Sequence, residues 1–142
     1  MKQTLAVLLL MLLLAGCGGT YVDDKHNFER AFGAKCPTEL RVVHSLYIQT
    51  PHFTEEHMYY FDLAPVKNSG MPPWVTNAPG IVCATNGVAE IPWQFAPRED
   101  RPKWFAPGSP GQYDVWYRTN DSYVVLRDKQ AGDIFVYGSV GM

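Results

Sequence analysis

The sequence lacks the motifs by which most catalytic sites are recognised. It contains no Gly-x-Ser-x-Gly nucleophile elbow, no phosphate-binding Walker loop and no His-Glu-x-x-His zinc motif. It also contains no run of Lys or Arg, and its formal net charge is −2. Because binding to nucleic acid or to anionic lipid depends on clustered positive charge, we expect neither to be the main partner. The sequence thus predicts a protein that is not an enzyme and needs no cofactor.

The chain has one long apolar run, and this run is too short to span a membrane. It extends over ten residues from Leu5 to Leu14, whereas a transmembrane helix needs about 20 apolar residues. Lys2 precedes the run, and two small residues and Cys17 follow it. This order of charged, apolar and small residues is typical of a secretory signal peptide.

The end of this segment, Leu14-Ala15-Gly16-Cys17, resembles the lipobox of bacterial lipoproteins. The resemblance implies that a signal peptide over residues 1–16 is removed and that Cys17 receives a diacylglyceryl group and an N-terminal acyl chain. In lipoproteins of Gram-negative bacteria an Asp after this Cys commonly causes retention at the inner membrane, but Gly18 stands there. The resemblance therefore implies a lipid anchor at the periplasmic face of the outer membrane.

Composition predicts one domain after a short linker. The residues from Cys17 to Met142 are enough for a single domain, and an aromatic content of 13% supplies material for its core. Residues 17–27 are rich in Gly and charge and have no apolar period, so we predict a lipidated flexible tether. The folded domain is then expected over residues 28–142, beginning with one helical turn that Gly33 ends.

Three cysteines are present, and one of them is assigned to the lipid. Cys36 and Cys83 remain, in a compartment that oxidises thiols, so we predict a disulfide between them. Closing a loop of this length would stabilise the fold by about 4 kcal/mol on the chain-entropy model. Two buried, reduced cysteines are the alternative.

Alternation of apolar and polar residues predicts strands along most of the remaining chain. The segments 41–49 and 58–63 alternate clearly, and Val42, His44, Leu46 and Ile48 are expected to share one core-facing side. Asn86-Gly87 between two apolar segments predicts a type I′ hairpin in which Val82 faces the core and Cys83 points away. Three further strands are predicted after Gly111, around residues 113–117, 124–126 and 134–137.

About seven short strands with few helical segments favour an all-β fold. We predict a single antiparallel β-sandwich of the immunoglobulin-like kind, with a small β-barrel as the alternative. Gly111-Gln112-Tyr113 also resembles the start of the strand that carries a corner tyrosine in such sandwiches.

The segment before Gly111 is rich in Pro and predicts a long surface loop. Trp and Arg are frequent anchors of protein interfaces. We therefore predict that the loop residues Trp104, Phe105, Arg101 and Lys103 contact a partner. In the alternative, Trp104 and Phe105 fold back and cover one end of the sandwich.

The histidines form no recognisable metal site. His52 and His57 flank Glu55 and Glu56, but the spacing matches no helical zinc motif, and Pro51 breaks any helix there. His44 lies on the apolar side of its strand and is expected to be a core histidine with a backbone partner. A metal-dependent protein that uses His44, His52 and His57 is thus the weakest of three functional classes.

Several motifs together resemble small enterobacterial periplasmic lipoproteins that are assigned as immunity proteins of the type VI secretion system. These motifs are the lipobox, Cys36 ahead of the first strand, Gly80-Ile81-Val82-Cys83, Ile91-Pro92-Trp93-Gln94-Phe95 and Gly111-Gln112-Tyr113-Asp114-Val115. The resemblance implies a binding protein that sequesters or neutralises another protein in the envelope. The alternative is a cell-wall-binding or structural lipoprotein, in which exposed Trp74, Trp104 and Trp116 stack on the sugars of peptidoglycan while Trp93 belongs to the core.

Overall fold

Seven strands account for most of the ordered architecture in a computed structural model that describes residues 18–50, 56–66, 71–76, 80–84, 100–118 and 123–141. The strands are β1 (Gly19–Val22), β2 (Leu40–Gln49), β3 (His57–Pro65), β4 (Ile81–Ala84), β5 (Tyr113–Arg118), β6 (Tyr123–Asp128) and β7 (Ile134–Val140). Two short helices, α1 (Asn27–Phe32) and α2 (Pro73–Thr76), and one 3-10 turn (Pro110–Gln112) complete the described elements. The predicted helical turn before Gly33 is confirmed as α1.

The described strands form one antiparallel sheet in the order β1-β2-β3-β7-β6-β5-β4. Two meanders, β1 to β3 and β4 to β7, meet where β3 pairs with β7. The edges of this sheet are β1 and β4, so the described strands remain open and do not close into a barrel. The predicted all-β, antiparallel, sandwich-like class is confirmed, as are the three strands of the C-terminal meander. Within the described residues, no helix is long and apolar enough to cross a membrane.

Both faces of the sheet are covered, and this explains the sandwich-like layering. The inner strand β3 buries adjacent residues that point in opposite directions, Tyr60 and Phe61. One face, here called the helix face, packs against Phe28 of α1 and Val75 of α2. The other, here called the loop face, packs against Phe105. Because each large apolar side chain contributes about 1.5–3 kcal/mol when it is fully buried, both layers stabilise the sheet.

A β-bulge in β2 changes which of its residues point to each face. The register of β2 against β3 shifts between Val42 and His44. Val42 consequently packs with the helix-face cluster, whereas Leu46 and Ile48 pack with the loop-face cluster. The predicted common side for all four residues is therefore correct from His44 onward and wrong for Val42.

The predicted flexible tether over residues 17–27 is wrong for its described part. Strand β1 starts at Gly19 and pairs with β2. Asn27 is fully buried, and its Nδ2 donates to the carbonyl of Tyr21 at 2.8 Å and to Oγ of Ser45 at 3.0 Å. This segment is held by backbone pairing and by the buried amide of Asn27. Neither interaction requires a periodic pattern of hydrophobic residues, so the sequence gives no sign of it. The folded domain thus includes residues that composition assigned to a linker.

The predicted orientation of β4 is wrong by one residue. Val82 is 42% exposed, whereas Ile81 packs against the helix-face cluster. Cys83 pairs with Trp116 of β5 and, although exposed, lies on the helix-face side. Since four consecutive residues of β4 are apolar or small, the pattern does not determine which side faces the core. The second strand of the predicted Asn86-Gly87 hairpin lies outside the described residues.

The predicted disulfide is also wrong, because Cys36 and Cys83 are both free thiols. Cys36 lies just before β2, where its Sγ is 3.8 Å from the carbonyl oxygen of Leu40. Four strands lie between β2 and β4. The two strands are therefore five strand spacings apart, which is about 24 Å across the sheet at about 4.8 Å per spacing. A disulfide requires Cα atoms about 4.4–6.8 Å apart. The strand order therefore keeps the two thiols from meeting.

The resemblance of Tyr113 to a corner tyrosine is matched by its contacts. Its ring is buried at the start of β5. The backbone N–H of Gly108, five residues upstream, donates to the Tyr113 hydroxyl at 2.8 Å. This bond fixes the chain where the loop turns into the sheet, which is the role that corner tyrosines have in β-sandwiches.

Candidate binding surfaces

The predicted contact loop lies across the loop face, and its Phe105 is part of the core. Only 2% of Phe105 is exposed. Its ring packs against the rings of Tyr60 and Phe135, with centroids 5.0 and 5.6 Å away. The proposal that Phe105 contacts a partner is therefore corrected, because covering the sheet already buries the whole ring. This is the alternative in which the loop folds back.

The other three predicted contact residues remain at least partly accessible. Trp104 is half-buried and stacks on the imidazole of His44, with centroids 5.3 Å apart and planes inclined by 24°. Arg101 and Lys103 are exposed beside it. The loop thus presents two cations and one edge of an indole, which is a smaller surface than four projecting side chains would provide.

His44 is a half-exposed residue and not the core histidine that the alternation predicted. Its side chain is 43% exposed, and its Nδ1 lies 3.5 Å from Oδ2 of Asp23. The bulge before His44 places it at the sheet margin under Trp104. A carboxylate and an indole are therefore its neighbours, in place of the expected backbone partner.

The histidines do not converge on a metal site in the part of the chain that is described. His57 stacks on Tyr47 and Tyr59, with centroids 5.5 and 6.1 Å away, on the helix face. His44 points to the loop face, so the sheet lies between the two imidazoles. Among the described residues, no group of three or more metal-binding side chains occurs. His52 and Glu55 lie outside these residues.

A groove of about 410 Å³ lies on the helix face, and the sequence did not reveal it. We call it the aromatic groove. Its walls come from α1, α2 and the sheet, and its aromatic lining consists of Phe28, Phe32, Tyr59, Trp74 and Tyr123. The groove therefore combines five rings from four elements, α1, α2, β3 and β6.

Local sequence explains how α1 contributes its part of the groove. Phe28 and Phe32 are four residues apart and lie on the same side of the helix, with ring centroids 4.5 Å apart. Gly33 then adopts a left-handed conformation (φ 67°), and its N–H donates to the carbonyl of Glu29 at 2.8 Å. Because a left-handed residue ends the helix, the chain turns away directly after Phe32 and leaves one side of the ring pair open.

Trp74 of α2 forms the facing wall. Its ring lies 5.8 Å from that of Phe28, nearly perpendicular to it, and 5.0 Å from that of Phe32. The indole Nε1–H is enclosed and has no hydrogen-bond partner among the described residues. An enclosed donor without a partner destabilises the folded state by about 1–3 kcal/mol. The stabilisation that holds Trp74 here thus comes from ring packing.

Among the described residues, the charged side chains that line the groove are Arg118 and Lys35. The Arg118 guanidinium lies 4.7 Å from the centroid of the Tyr123 ring. Burial raises the pKa of the Tyr123 hydroxyl far above its usual value, with a further rise from Tyr59 and an opposing effect of Arg118. Tyr123 therefore remains a neutral phenol at neutral pH, and the charged side chains of the described lining are cations.

The tryptophans predicted to stack on sugars differ in their placement. Trp74 lines the aromatic groove. Trp116, expected to be exposed, is only 9% exposed and belongs to the helix-face core. Trp104 is half-buried, and Trp93 lies outside the described residues. Of the three described tryptophans, Trp74 is consequently best placed to bind a ligand.

The groove could not be recognised from a local motif. The spacing of Phe28 and Phe32 indicates a helical anchor, but Tyr59, Trp74 and Tyr123 are far apart in the chain. They converge only because β3, β7, β6 and β5 are neighbours in the sheet. Comparison of the chain with protein-family models, with curated proteins and with solved structures finds no match.

Proposed function

We propose that this chain is a lipid-anchored periplasmic protein that binds, and thereby neutralises, another protein of the envelope. The observation that carries the proposal is the aromatic groove, whose volume of about 410 Å³ lies in the range of about 300–1,000 Å³ common for binding pockets. Trp74 and Arg118 both line it, and Trp and Arg are the residue types that most often dominate the binding energy of protein interfaces.

The position of β1 supports a site near the membrane. Strand β1 begins at Gly19, two residues after the lipobox Cys17. A lipid on Cys17 would therefore hold the sheet directly at the bilayer surface instead of on a long tether. Val140, which lines the groove, lies at the same end of the sheet as Gly19. Gly19 pairs with Gln49, Gln49 pairs with His57, and His57 pairs with Val140, so the four residues form one row across the sheet. A partner at the inner surface of the outer membrane would meet the groove there.

The exposed side of the loop offers a second contact surface on the opposite face. Arg101 and Lys103 are exposed, and Trp104 is partly accessible. Rim cations of this kind mainly affect the rate of association, while buried aromatic contacts determine how long a complex persists. We assign the main anchor to the groove and a subsidiary role to the loop.

Binding of cell-wall glycan is the second candidate, and the ring of Trp74 is the observation that favours it. Aromatic faces bind the apolar faces of sugars, and the groove presents several rings. A neutral sugar, however, has no anionic group with which Lys35 or Arg118 of the groove could pair. For this reason the protein partner is the better match.

A pull-down with matched variants tests the proposal. The Cys17→Ser protein, which lacks the anchor, is used to capture proteins from periplasmic extract, and retained proteins are quantified by mass spectrometry. Trp74→Phe and Arg118→Gln change the groove, and Lys129→Gln changes an exposed lysine in the turn after β6.

The proposal predicts a protein that the parent and the Lys129→Gln protein retain and that both groove variants lose at least in part. The thermal midpoint of each variant is measured to exclude unfolding. Equal retention by all variants, or retention of no protein at all, contradicts the proposal. Sedimentation with purified peptidoglycan that depends on Trp74, without a protein partner, would establish the glycan alternative.

A further inference from the structure

The two charged residues in the described lining of the aromatic groove are cationic, although the chain as a whole is acidic. Lys35 follows α1 and is exposed, and Arg118 lies at the end of β5. Neither Asp nor Glu occurs among the described residues of the lining, while the formal net charge of the chain is −2. The described lining thus offers two cations and no carboxylate, and cations of this kind attract anionic groups.

The floor of the groove is apolar and formed mainly by rings. Phe32 is central, with the rings of Tyr59 and Trp74 at 5.3 and 5.0 Å. An aromatic or aliphatic group placed on such a floor gains hydrophobic contact and, if aromatic, ring–ring contact worth more than area alone. The groove therefore favours a ligand that has an apolar part and an anionic part close together.

From this complementarity we infer that the groove binds an acidic peptide segment of the partner protein, in which an aromatic or aliphatic side chain adjoins a carboxylate. The inference rests on the function proposed above and names the chemistry of the partner's segment. The apolar side chain packs on Phe32 and Trp74, and the carboxylate pairs with Lys35 or Arg118. An exposed ion pair of this kind changes affinity by up to about fivefold.

Three short peptides separate the charge contribution from the ring contribution. They are acetyl-Asp-Phe-Asp-amide, its uncharged counterpart acetyl-Asn-Phe-Asn-amide, and acetyl-Asp-Ala-Asp-amide, which lacks the ring. Each is titrated into the nitrogen-15-labelled Cys17→Ser protein. The observed signal is the indole N–H resonance of Trp74, which is identified by its loss in Trp74→Phe.

We expect acetyl-Asp-Phe-Asp-amide to shift the Trp74 resonance in a saturable way. The uncharged peptide should bind about tenfold more weakly, since two ion pairs are lost, and the peptide without the ring should bind more weakly still. Raising the salt concentration should reduce this difference because exposed charges are screened. Equal affinity of the charged and uncharged peptides, or no shift of Trp74 by any peptide, overturns the inference.

Two groove variants and one control locate the charge effect. Lys35→Gln and Arg118→Gln should each weaken binding of the acidic peptide by about threefold and leave the uncharged peptide unaffected. Lys103→Gln removes an exposed lysine from the opposite face of the sheet and should have no effect. Because Lys35 is exposed, its replacement leaves the fold intact even if Arg118→Gln is destabilised.

The outcomes also distinguish this inference from the proposed function. If the pull-down retains a partner through Trp74 while Lys35→Gln and Arg118→Gln retain it fully, the acidic-segment inference fails and the binding function stands. If no partner is retained, the proposed function fails whatever the peptides do. If phosphatidylglycerol vesicles shift Trp74 and the acidic peptide does not, the ligand is a lipid and the inference is overturned.

Discussion

The ring of Phe105 packs edge-on against the ring of Tyr60, with centroids 5.0 Å apart and planes inclined by 71°. Both side chains are buried, Phe105 to 2% and Tyr60 to 0% exposure. Burial raises the pKa of the Tyr60 hydroxyl well above its usual value, and nearby Tyr137 adds to this effect. The contact thus joins a loop residue to the inner strand β3 at a fully buried position.

The first prediction is that this contact stabilises the whole domain. Phe105→Ala should lower the free energy of unfolding by about 3–5 kcal/mol, because it removes a buried ring and leaves a cavity. Urea unfolding followed by tryptophan fluorescence measures the change. Lys103→Ala, in the same loop but exposed, should change stability by less than about 0.5 kcal/mol. Equal effects of both variants would mean that Phe105 does not pack on the sheet in solution.

The second prediction concerns Asn27, which connects α1 to β1 and β2. Its Nδ2 donates to the carbonyl of Tyr21 and to Oγ of Ser45. Asn27→Ala should lower the free energy of unfolding by about 1–3 kcal/mol, since one buried and one partly buried acceptor lose their donor. Hydrogen exchange should accelerate most in residues 19–22, because the amide holds this edge strand. Uniform acceleration across the sheet would contradict a local role, and Lys25→Ala, at an exposed site nearby, is the control.

Local alternation was sufficient to predict the fold class and several strands. Residues of β3 and β5 follow the period of two, and Tyr113 marks the corner before β5. Strand β1 escaped prediction because backbone pairing forms it, and four residues with no hydrophobic period give no signal. The bulge between Val42 and His44 likewise inverts the faces within one strand without any change in composition.

Predictions that join distant residues were less successful, for a common physical reason. A Cys36–Cys83 bridge requires two distant residues to meet, and the strand order determines whether they can. Several strand orders are compatible with the same alternation. The same ambiguity hides the aromatic groove, because Tyr59, Trp74 and Tyr123 converge only in the observed order.

The third prediction concerns pH and Asp62. Burial raises the pKa of the Asp62 carboxyl, nearby Asp133 raises it further, and His44 opposes the rise. A raised pKa in the folded state means that the folded protein favours the neutral carboxyl. The neutral Asp62 carboxyl therefore contributes fully to stability below about pH 3.9, the pKa of Asp in the unfolded chain. This contribution is lost as the pH rises through the pKa of Asp62 in the folded protein.

Asp62→Asn, which is neutral at every pH, should consequently be more stable than the parent protein at pH 7. We expect its Tm to be higher by about 1–3 °C, because solvent screening of a partly exposed carboxyl limits the gain. The difference should shrink towards pH 3.5. A difference in Tm that does not vary with pH would show that packing, and not ionisation, is responsible. Asp128→Asn is unsuitable as a control, since Oδ1 of Asp128 accepts two turn hydrogen bonds.

The fourth prediction is that both thiols react without prior reduction. Cys83 is exposed and should be alkylated by iodoacetamide under native conditions, whereas the half-buried Cys36 should react fully only after unfolding. Burial raises the pKa of both thiols, and Asp114 adds to the rise at Cys83. Alkylation of each should thus be slow at pH 7 and faster at pH 9. A peptide that links Cys36 to Cys83 in non-reducing mass mapping would contradict the observed strand order.

The fifth prediction tests the anchor implied by the lipobox. Acyl chains on Cys17 would hold the protein at a membrane, because each buried CH₂ contributes about 0.8 kcal/mol and two or more chains give stable binding. Cys17→Ser should therefore move the protein from the membrane fraction to the soluble periplasm while the domain, which starts at Gly19, keeps its Tm. Gly18→Asp retains the lipid and should shift the protein to the inner membrane if the lipoprotein sorting rule applies. Recovery of Cys17→Ser protein in the membrane at the parental level would show that another part of the chain anchors it.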